Sequence, residues 1–288
     1  MSGDASTIES DGFVEAKPPT RLRAGAVIGA LIVGAWLLVA LIGPLISPYE
    51  VGQVVDNDVY GEMSRSFPLG TDYLGRDMLS RIIYGTRFTI GIAFAATLIA
   101  VFIGGTLGML AAVSGRFADA LLSRSFDALI SIPSLMFGLV AVAALGSSIP
   151  VLIGTAAIIY APGAFRIWRS LAVNVNAMDY VVVARARGEG VGYLIREEIL
   201  PNLIGPVLTD FGLRFVFAVL LLSGLSFLGL GIQPPDADWG SLVRENITGL
   251  SEGASAPVVA AAAIATLTIG VNLIIDNLPG RRLALDSR

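Results

Sequence analysis

The sequence predicts an all-α polytopic membrane protein with about six transmembrane helices. Of its 288 residues, 55% are hydrophobic and 15% are charged, and the mean hydropathy is +0.76. A soluble domain of this length would carry fewer apolar and more charged residues. The apolar residues are also gathered in runs that approach or exceed the roughly 20 helical residues needed to cross a bilayer. Composition and run length together therefore predict a multi-pass protein of the cell (inner, or cytoplasmic) membrane.

Each predicted span is an apolar run bounded by polar residues, glycine or proline. The six runs cover residues 24–46, 88–113, 129–145, 150–168, 207–230 and 257–275. The first run is expected to end near Pro44 and Pro48, because proline has no backbone N–H to donate. Residues 1–23 are polar and acidic and are predicted to form a disordered tail. Residues 277–288 are predicted to form a second polar tail.

The basic residues predict the orientation of the chain. With the N-terminus inside, thirteen arginine and lysine residues fall on the cytoplasmic side and five on the outside, while Arg214 lies within a span. Short loops rich in these residues remain in the cytoplasm. Both tails are therefore expected to be cytoplasmic, together with the polar stretch between the fourth and fifth spans.

The first external loop is predicted to be long and to end in a helix. Residues 24–87 would comprise the first span and this loop. Met78, Ile82 and Ile83 recur at helical spacing, whereas Asp77 and Arg81 fall on the opposite side. Such a pattern is typical of an amphipathic helix lying at the membrane surface, here just before the second span.

The polar stretch 170–206 is predicted to be the functional loop. Its pattern indicates a helix over residues 178–187, a break at three glycines (188, 190 and 192), and a second helix over 193–200 that ends at Pro201. Glycine is costly within a helix, and proline cannot continue one. Two short helices set at an angle on a cytoplasmic loop favour a docking site for another protein. The alternative is an ordinary polar connection between two membrane helices.

This loop resembles the "EAA" coupling loop of type I ABC importer permeases. There, a glycine is followed ten residues later by a short apolar run that ends in Leu-Pro, and Gly188 and residues 198–201 keep that spacing. The sequence departs from the pattern at residues 182–184, where Val-Val-Ala replaces Glu-Ala-Ala, and at Glu198, where an apolar residue or histidine is usual. The run LGTDYLGRDMLSRIIYGTR over 69–87 resembles the C-type permease subunit of dipeptide and oligopeptide importers, and further matching segments extend the resemblance over residues 24–288.

The resemblance implies a fold, a function and partners. It implies the type I ABC importer permease fold, with a transmembrane core over 88–276, and a non-catalytic subunit that forms half of a path for peptides. Expected partners are a second, B-type permease chain in a heterodimer, cytoplasmic ABC ATPases that bind the ATP, an external solute-binding protein and the lipid bilayer. The residues implied in coupling to the ATPase are Ala184, Arg185, Arg187, Gly188, Ile199, Leu200 and Pro201. Nickel chelates and sugars are alternative cargoes within the same family.

The composition excludes several other classes of function. The chain contains no cysteine and no histidine, which excludes disulfides, thiolate or imidazole metal sites and Ser-His or Cys-His catalysis. Its single lysine, Lys17, is followed by Pro18, so a G-x-x-x-x-G-K-[ST] phosphate-binding loop is absent and no cofactor is predicted for this chain. The net charge of −4 and the pI of about 4.9 argue against a nucleic-acid partner.

Two other membrane functions are alternatives to the importer. An ion-coupled secondary transporter would usually carry charges near the bilayer centre and an inverted repeat, and neither is clear here. An intramembrane aspartyl protease would use Asp210 and Asp276. However, Arg214 lies four residues after Asp210, a spacing that favours an ion pair on one helix, and the Gly-x-Gly-Asp motif of that class is absent.

The remaining predictions concern glycine and proline residues within the spans and two residues of the last external loop. Gly104, Gly105 and Gly108 form a G-x-x-x-G face in the second span, and such small residues let helix backbones approach closely in lipid. Pro162 and the glycine after it should kink the fourth span, as a gate hinge or as static packing. Asp238 and Trp239, in the last external loop, would either meet a binding protein or cap the loop at the interface.

Overall fold

The structure is a computed structural model that describes residues 24–278. Within them it contains ten α-helices and two isolated β-bridges in the loop before the second helix. The helices are α1 (Ala24–Ile46), α2 (Met78–Val113), α3 (Arg116–Ile130), α4 (Ser134–Leu145), α5 (Ile149–Asn176), α6 (Asp179–Ala186), α7 (Val191–Tyr193), α8 (Leu200–Leu225), α9 (Trp239–Asn246) and α10 (Ala256–Asp276). The predicted tail 1–23 and all but the first two residues of the predicted tail 277–288 lie outside the described residues.

Five helical stretches of residues 24–278 are long and apolar enough to cross a membrane. They are α1, α2, α5, the stretch from α7 through α8, and α10, and the bent pair α3 and α4 would make a sixth. The prediction of an all-α polytopic protein with about six spans is confirmed.

The predicted third span, residues 129–145, is not a single helix. α3 ends at Ile130, α4 begins at Ser134, and the two helices are bent by 81°. The prediction was wrong because Pro133, which has no N–H to donate, separates two helices within one apolar run. With 12 residues, α4 rises only about 18 Å, so it cannot cross a hydrocarbon core of about 30 Å by itself.

Helix α2 is one helix of 36 residues. The prediction of a separate amphipathic helix at the membrane surface, ahead of the second span, is therefore wrong. Its polar side is not in contact with water, because Ser80 and Arg81 are both buried. Two oxygens, Asp72 Oδ2 and Glu245 Oε2, each accept a hydrogen bond from Arg81 Nη1 at 2.7 Å. The loop 47–77 and α9 thus cover the side of the helix that periodicity assigned to the surface.

Helices α2 and α5 pack in parallel through the predicted glycine face. A Cβ added to Gly104 would lie 2.3 Å from the carbonyl oxygen of Ala161, and one added to Gly108 would lie 2.7 Å from that of Phe165. Both distances are shorter than real carbon–oxygen contacts, so only glycine allows the two backbones to approach this closely. The face is confirmed as a packing surface, and α5 continues through Pro162 as one helix.

Helix α8 follows α7 through a π-helical turn, Leu194–Ile199. The prediction that a second short helix ends at Pro201 is therefore wrong. The N–H of Leu200 bonds to the carbonyl oxygen of Ile195, five residues back. Pro201 then falls in the first turn of α8, close after the π-helical turn. The helical stretch consequently runs from residue 191 to residue 230.

The helices give the bundle two opposite ends. The loop end holds residues 47–77 and α9, and it lies beside the start of α2, since a Cβ on Gly85 would be 3.0 Å from the carbonyl oxygen of Ala237. The hairpin end holds α6 and α7. It lies beside the end of α2, because Asn176 Nδ2 donates to the carbonyl oxygen of Ala112 at 3.2 Å. The length of α2 therefore separates the two ends.

The core forms where α2, α5, α8 and α10 meet. Helix α8 runs antiparallel to α5. Tyr160 donates its hydroxyl to the carbonyl oxygen of Phe217, and Trp168, later in α5, packs with Leu203, which comes earlier in α8. Helix α1 lies outside this core and packs against α10. Its residues are mostly exposed within the single chain, which leaves much of its surface available to lipid.

Candidate partner-docking site

Helix α6 ends in a cap that requires glycine. Gly188 has φ +88°, a left-handed conformation that other residues adopt only with strain. Its N–H bonds to the carbonyl oxygen of Arg185 at 3.0 Å, and the N–H of Glu189 bonds to that of Ala184 at 3.2 Å. This pair of bonds defines a Schellman cap. Gly188 is thus the residue that turns the chain out of α6 and toward α7.

One face of the α6–α7 hairpin is packed against the bundle. Val181, Ala184 and Leu194 form a buried cluster, and Val113 and Val175 pack against it from the ends of α2 and α5. These three side chains hold the hairpin in place by burying apolar surface. The hairpin is therefore seated on the bundle.

Polar contacts fasten the same hairpin to α5 and α2. Arg185 Nη2 donates to Asn176 Oδ1 at 2.9 Å. The amide nitrogen of Asn176 in turn donates to the carbonyl oxygen of Ala112. Movement of α6 would consequently displace the ends of two membrane helices.

The second group of predicted residues lies at the start of α8. Ile199 is fully buried and packs with Trp168, Ala172 and Leu203, while Leu200 packs against the edge of that cluster. Pro201 is exposed. This group therefore joins the hairpin to α8 and offers little surface to a partner.

The seven predicted residues accordingly divide by their surroundings. Ala184 and Ile199 are fully buried, so they cannot touch a second protein. Arg185, Arg187 and Gly188 are exposed on the turn after α6. The predicted segment is thus brought to one end of the bundle, but only part of it reaches the surface.

The sequence reasoning missed the apolar surface of this hairpin. Val182 and Val183 are each 57% exposed. Other large apolar side chains of the segment are exposed as well, and they are Met178, Tyr180, Val191 and Tyr193. The signal was present in the sequence, because two adjacent valines on an eight-residue helix cannot both face the bundle. An apolar face at the end of a bundle is typical of a protein-docking surface.

A buried ion pair joins α8 to α5 within the bundle. Arg214 Nε lies 2.7 Å from Asp210 Oδ2, which confirms the pairing predicted from their spacing. Arg214 Nη1 also donates to the carbonyl oxygen of Tyr160 at 3.0 Å. Gly163 makes room for the guanidinium, since a Cβ there would be 2.6 Å from Arg214 Nη1. Asp210 is therefore engaged in helix packing, unlike the catalytic aspartate of a protease.

The loop end shows which role Asp238 and Trp239 take. Asp238 caps α9 and accepts hydrogen bonds from the backbone N–H groups of Gly240 and Ser241. Trp239 is fully buried. Burial raises the pKa of Asp238, while hydrogen bonds from Ser226, Ser241 and neighbouring backbone groups oppose that shift. Both side chains are therefore buried parts of the loop end, with Asp238 as the cap of α9.

Comparison with known proteins finds transport permeases that are similar to this chain along most of its length. The family described as "binding-protein-dependent transport system inner membrane component" matches residues 104–281, which include α5, the hairpin, α8 and α10. The dipeptide transport system permease protein DppC of Alkalihalophilus pseudofirmus is 31% identical over 91% of this chain and 86% of its own length. DppC of Haemophilus influenzae is 30% identical over 92% and 90%, and the glutathione transport system permease protein GsiD of Pectobacterium atrosepticum is 30% identical over 91% and 87%.

Proposed function

Because the chain belongs to the family of binding-protein-dependent transport system inner membrane components, we propose that it is one permease subunit of an ATP-driven peptide importer. The observation that carries the proposal is the α6–α7 hairpin, which packs against the ends of α2 and α5 and exposes apolar side chains. Relatives named for dipeptide and glutathione transport support peptides as the cargo. A second permease chain would complete the path as a heterodimer.

The hairpin is the proposed contact with a cytoplasmic ATPase. Val182, Val183 and Tyr193 would enter an apolar groove of the ATPase, and Arg185 and Arg187 would lie at its rim. This chain would hydrolyse no ATP itself. The excess of basic residues supports the hairpin end as the cytoplasmic one and the loop end as the external one, where a solute-binding protein would dock.

Force from the ATPase would reach the membrane helices by two routes. The buried cluster around Ala184 and the Arg185–Asn176 hydrogen bond link α6 to the ends of α2 and α5. The continuous helical stretch 191–230 links α7 to α8. A displacement of the hairpin would therefore tilt α2, α5 and α8 together, which is the movement that alternating access needs.

Site-directed crosslinking tests the proposed contact directly. The chain has no cysteine, so Val182→Cys would introduce a unique thiol on the exposed face of α6. In membranes that contain the whole transporter, a benzophenone maleimide at this position should crosslink to a chain with Walker motifs. Leu250→Cys is the matched control, because Leu250 is similarly exposed but lies at the loop end.

The same two variants test the orientation. In intact cells, or spheroplasts where an outer membrane is present, a membrane-impermeant maleimide should label Leu250→Cys and should label Val182→Cys only after permeabilisation. Crosslinking of the ATPase from position 250, or labelling of position 182 in intact cells, would contradict the proposal.

A further inference from the structure

A cavity of about 190 Å³ opens at the loop end of the bundle. It lies between the π-helical turn Ser226–Leu230 that ends α8, the loop after it, and α9. Its polar lining includes Tyr73, Gln233, Arg244 and Glu245. The cavity is far from the hairpin, because α8 begins at one end of the bundle and ends at the other.

The backbone beside this cavity is shaped to admit a guanidinium group. Gly229, within the π-helical turn, has φ +91°, a conformation that favours glycine. A Cβ added there would lie 3.2 Å from Arg244 Cζ, so the guanidinium rests directly against the glycine backbone.

Arg244 is the lining residue whose charge has no counterpart in the cavity wall. Glu245 Oε2 already accepts from Arg76 Nη2 at 3.2 Å and from Arg81 Nη1 at 2.7 Å. Asp72 pairs with the same two arginines, so the two acids and these two bases balance. Within residues 24–278, Arg244 makes no hydrogen bond or ion pair to a carboxylate.

The carboxylate of Asp238, the other acid close to the cavity, is already engaged in hydrogen bonds. Its two carboxylate oxygens accept four hydrogen bonds, from Ser226 Oγ and from the N–H groups of Ile232, Gly240 and Ser241. Asp238 is also not among the residues that line the cavity. Among the charged side chains of the lining, Glu245 is paired with Arg76 and Arg81, and Arg244 is left without an ion pair in the part of the chain that the structure describes.

We propose that this cavity binds the C-terminal carboxylate of a peptide that enters from the loop end, with Arg244 as its direct ligand. The inference rests on the proposed function of peptide import and adds a specificity-determining residue to it. A guanidinium can donate two parallel hydrogen bonds to a carboxylate, and a lysine or glutamine in the same place cannot. The chemistry recognised is a carboxylate, so a peptide with an amide at its C-terminus would bind poorly.

Saturation-transfer NMR on the complete permease–ATPase complex in nanodiscs tests the proposal without the selectivity of the binding protein. The probes are N-acetyl-Ala-Ala, its C-terminal amide, and N-acetyl-Ala-Asp with both terminal groups blocked, whose carboxylate lies on the side chain. Wild-type complex should bind the free acid at least about tenfold more tightly than the amide, as expected for a charged hydrogen-bonded pair. Arg244→Gln should abolish this preference, and Arg244→Lys should restore only part of it.

One further variant serves as a matched control, and a second tests the contact between Gly229 and Arg244. Arg65→Gln removes an exposed arginine from the loop end outside the cavity and should leave the preference unchanged. Gly229→Ala should weaken binding of the free acid while keeping every charge, because the methyl group displaces the guanidinium.

The outcomes separate this inference from the function on which it rests. ATP-driven uptake of a dipeptide by the wild-type complex with its binding protein tests the function alone. If uptake occurs but wild type and Arg244→Gln bind the free acid and the amide alike, the carboxylate site is wrong and the importer remains. If the blocked Ala-Asp peptide binds as tightly as the free acid, the site recognises any carboxylate, and the assignment to the C-terminus is overturned.

Discussion

Arg214 and Asp210 form an ion pair of 2.7 Å between side chains that are 9% and 5% exposed. The two residues lie one helical turn apart on α8, and Arg214 Nη1 also donates to the carbonyl oxygen of Tyr160 on α5. Charges at such a position are stable only when they are paired. The pair therefore contributes a polar contact that holds α8 against α5.

Removal of one partner from this pair should destabilise the protein strongly. We expect Arg214→Leu to lower the free energy of unfolding by about 3 kcal/mol or more, because Asp210 would be left buried without a counter-charge. Arg166→Leu is the control, since Arg166 pairs with Asp127 where both side chains are more than half exposed, and its loss should change stability by less than about 1 kcal/mol.

The double variant Asp210→Leu with Arg214→Leu should recover much of the loss, because no unpaired charge remains. Thermal unfolding of the purified complex in detergent measures all three variants. A double variant that is less stable than Arg214→Leu would show that the unpaired charge of Asp210 is not the cause of the loss.

The contact between α2 and α5 depends on the absence of a side chain at Gly104. Gly104→Ala would place a methyl group 2.3 Å from a backbone oxygen, and we expect a loss of about 1 to 3 kcal/mol from overpacking. Gly91→Ala, on the same helix but with no neighbour within 4 Å, should be neutral or stabilising by up to about 1 kcal/mol. Thermal unfolding distinguishes the two. Equal midpoints would mean that the helices do not pack as closely as described.

The cap at Gly188 should matter for transport more than for folding. Gly188→Ala forces alanine into the left-handed region at a cost of about 1 to 2 kcal/mol, although no neighbouring atom blocks the added methyl group. The hairpin would then leave its seated position more often, and ATP-driven uptake should fall by up to about tenfold.

Gly192→Ala is the control for the cap, because Gly192 lies within α7 and also has no neighbour within 4 Å. Its uptake should match that of the wild type. Equal uptake by the two alanine variants, at equal amounts of protein in the membrane, would remove Gly188 from the proposed coupling.

The cap of α9 should contribute to the stability of the loop end. Asp238→Ala removes the acceptor for four hydrogen bonds and should lower the free energy of unfolding by about 2 kcal/mol. Asp236→Ala, two residues earlier, should have a smaller effect, because Asp236 does not cap α9. Amide hydrogen exchange of α9 measures the local effect, and unchanged protection in Asp238→Ala would contradict the prediction.

The pH dependence of the same carboxylate has a defined sign. Burial raises its folded-state pKa above 3.8, so the folded chain keeps the proton at pH values at which the unfolded chain has released it. The contribution of Asp238 to stability is therefore largest below pH 3.8 and declines as pH rises through the folded-state pKa. The difference in thermal midpoint between wild type and Asp238→Ala should narrow as pH rises over that range. A difference that widens would show that folding lowers the pKa of Asp238 instead of raising it.

The sequence by itself determined the class of protein, the approximate positions of most spans and several local contacts. These features follow from local rules. A span requires about 20 apolar residues, an ion pair such as Asp210–Arg214 follows from four-residue spacing on a helix, and Gly104 and Gly108 lie on one face for the same reason. The polar segment with Gly188 was identified in the same way, by a spacing within one short stretch.

Only the tertiary structure decided which surfaces of these helices are covered. Arg81 is buried because Asp72 and Glu245, which come from a distant part of the chain, supply its counter-charges. The helix continues past Pro201, which closely follows a π-helical turn. The exposed face of α6 likewise depends on which of its residues pack against α2 and α5. Periodicity assigns a residue to a side of a helix, but contacts between residues far apart in sequence determine whether that side meets water, lipid or protein.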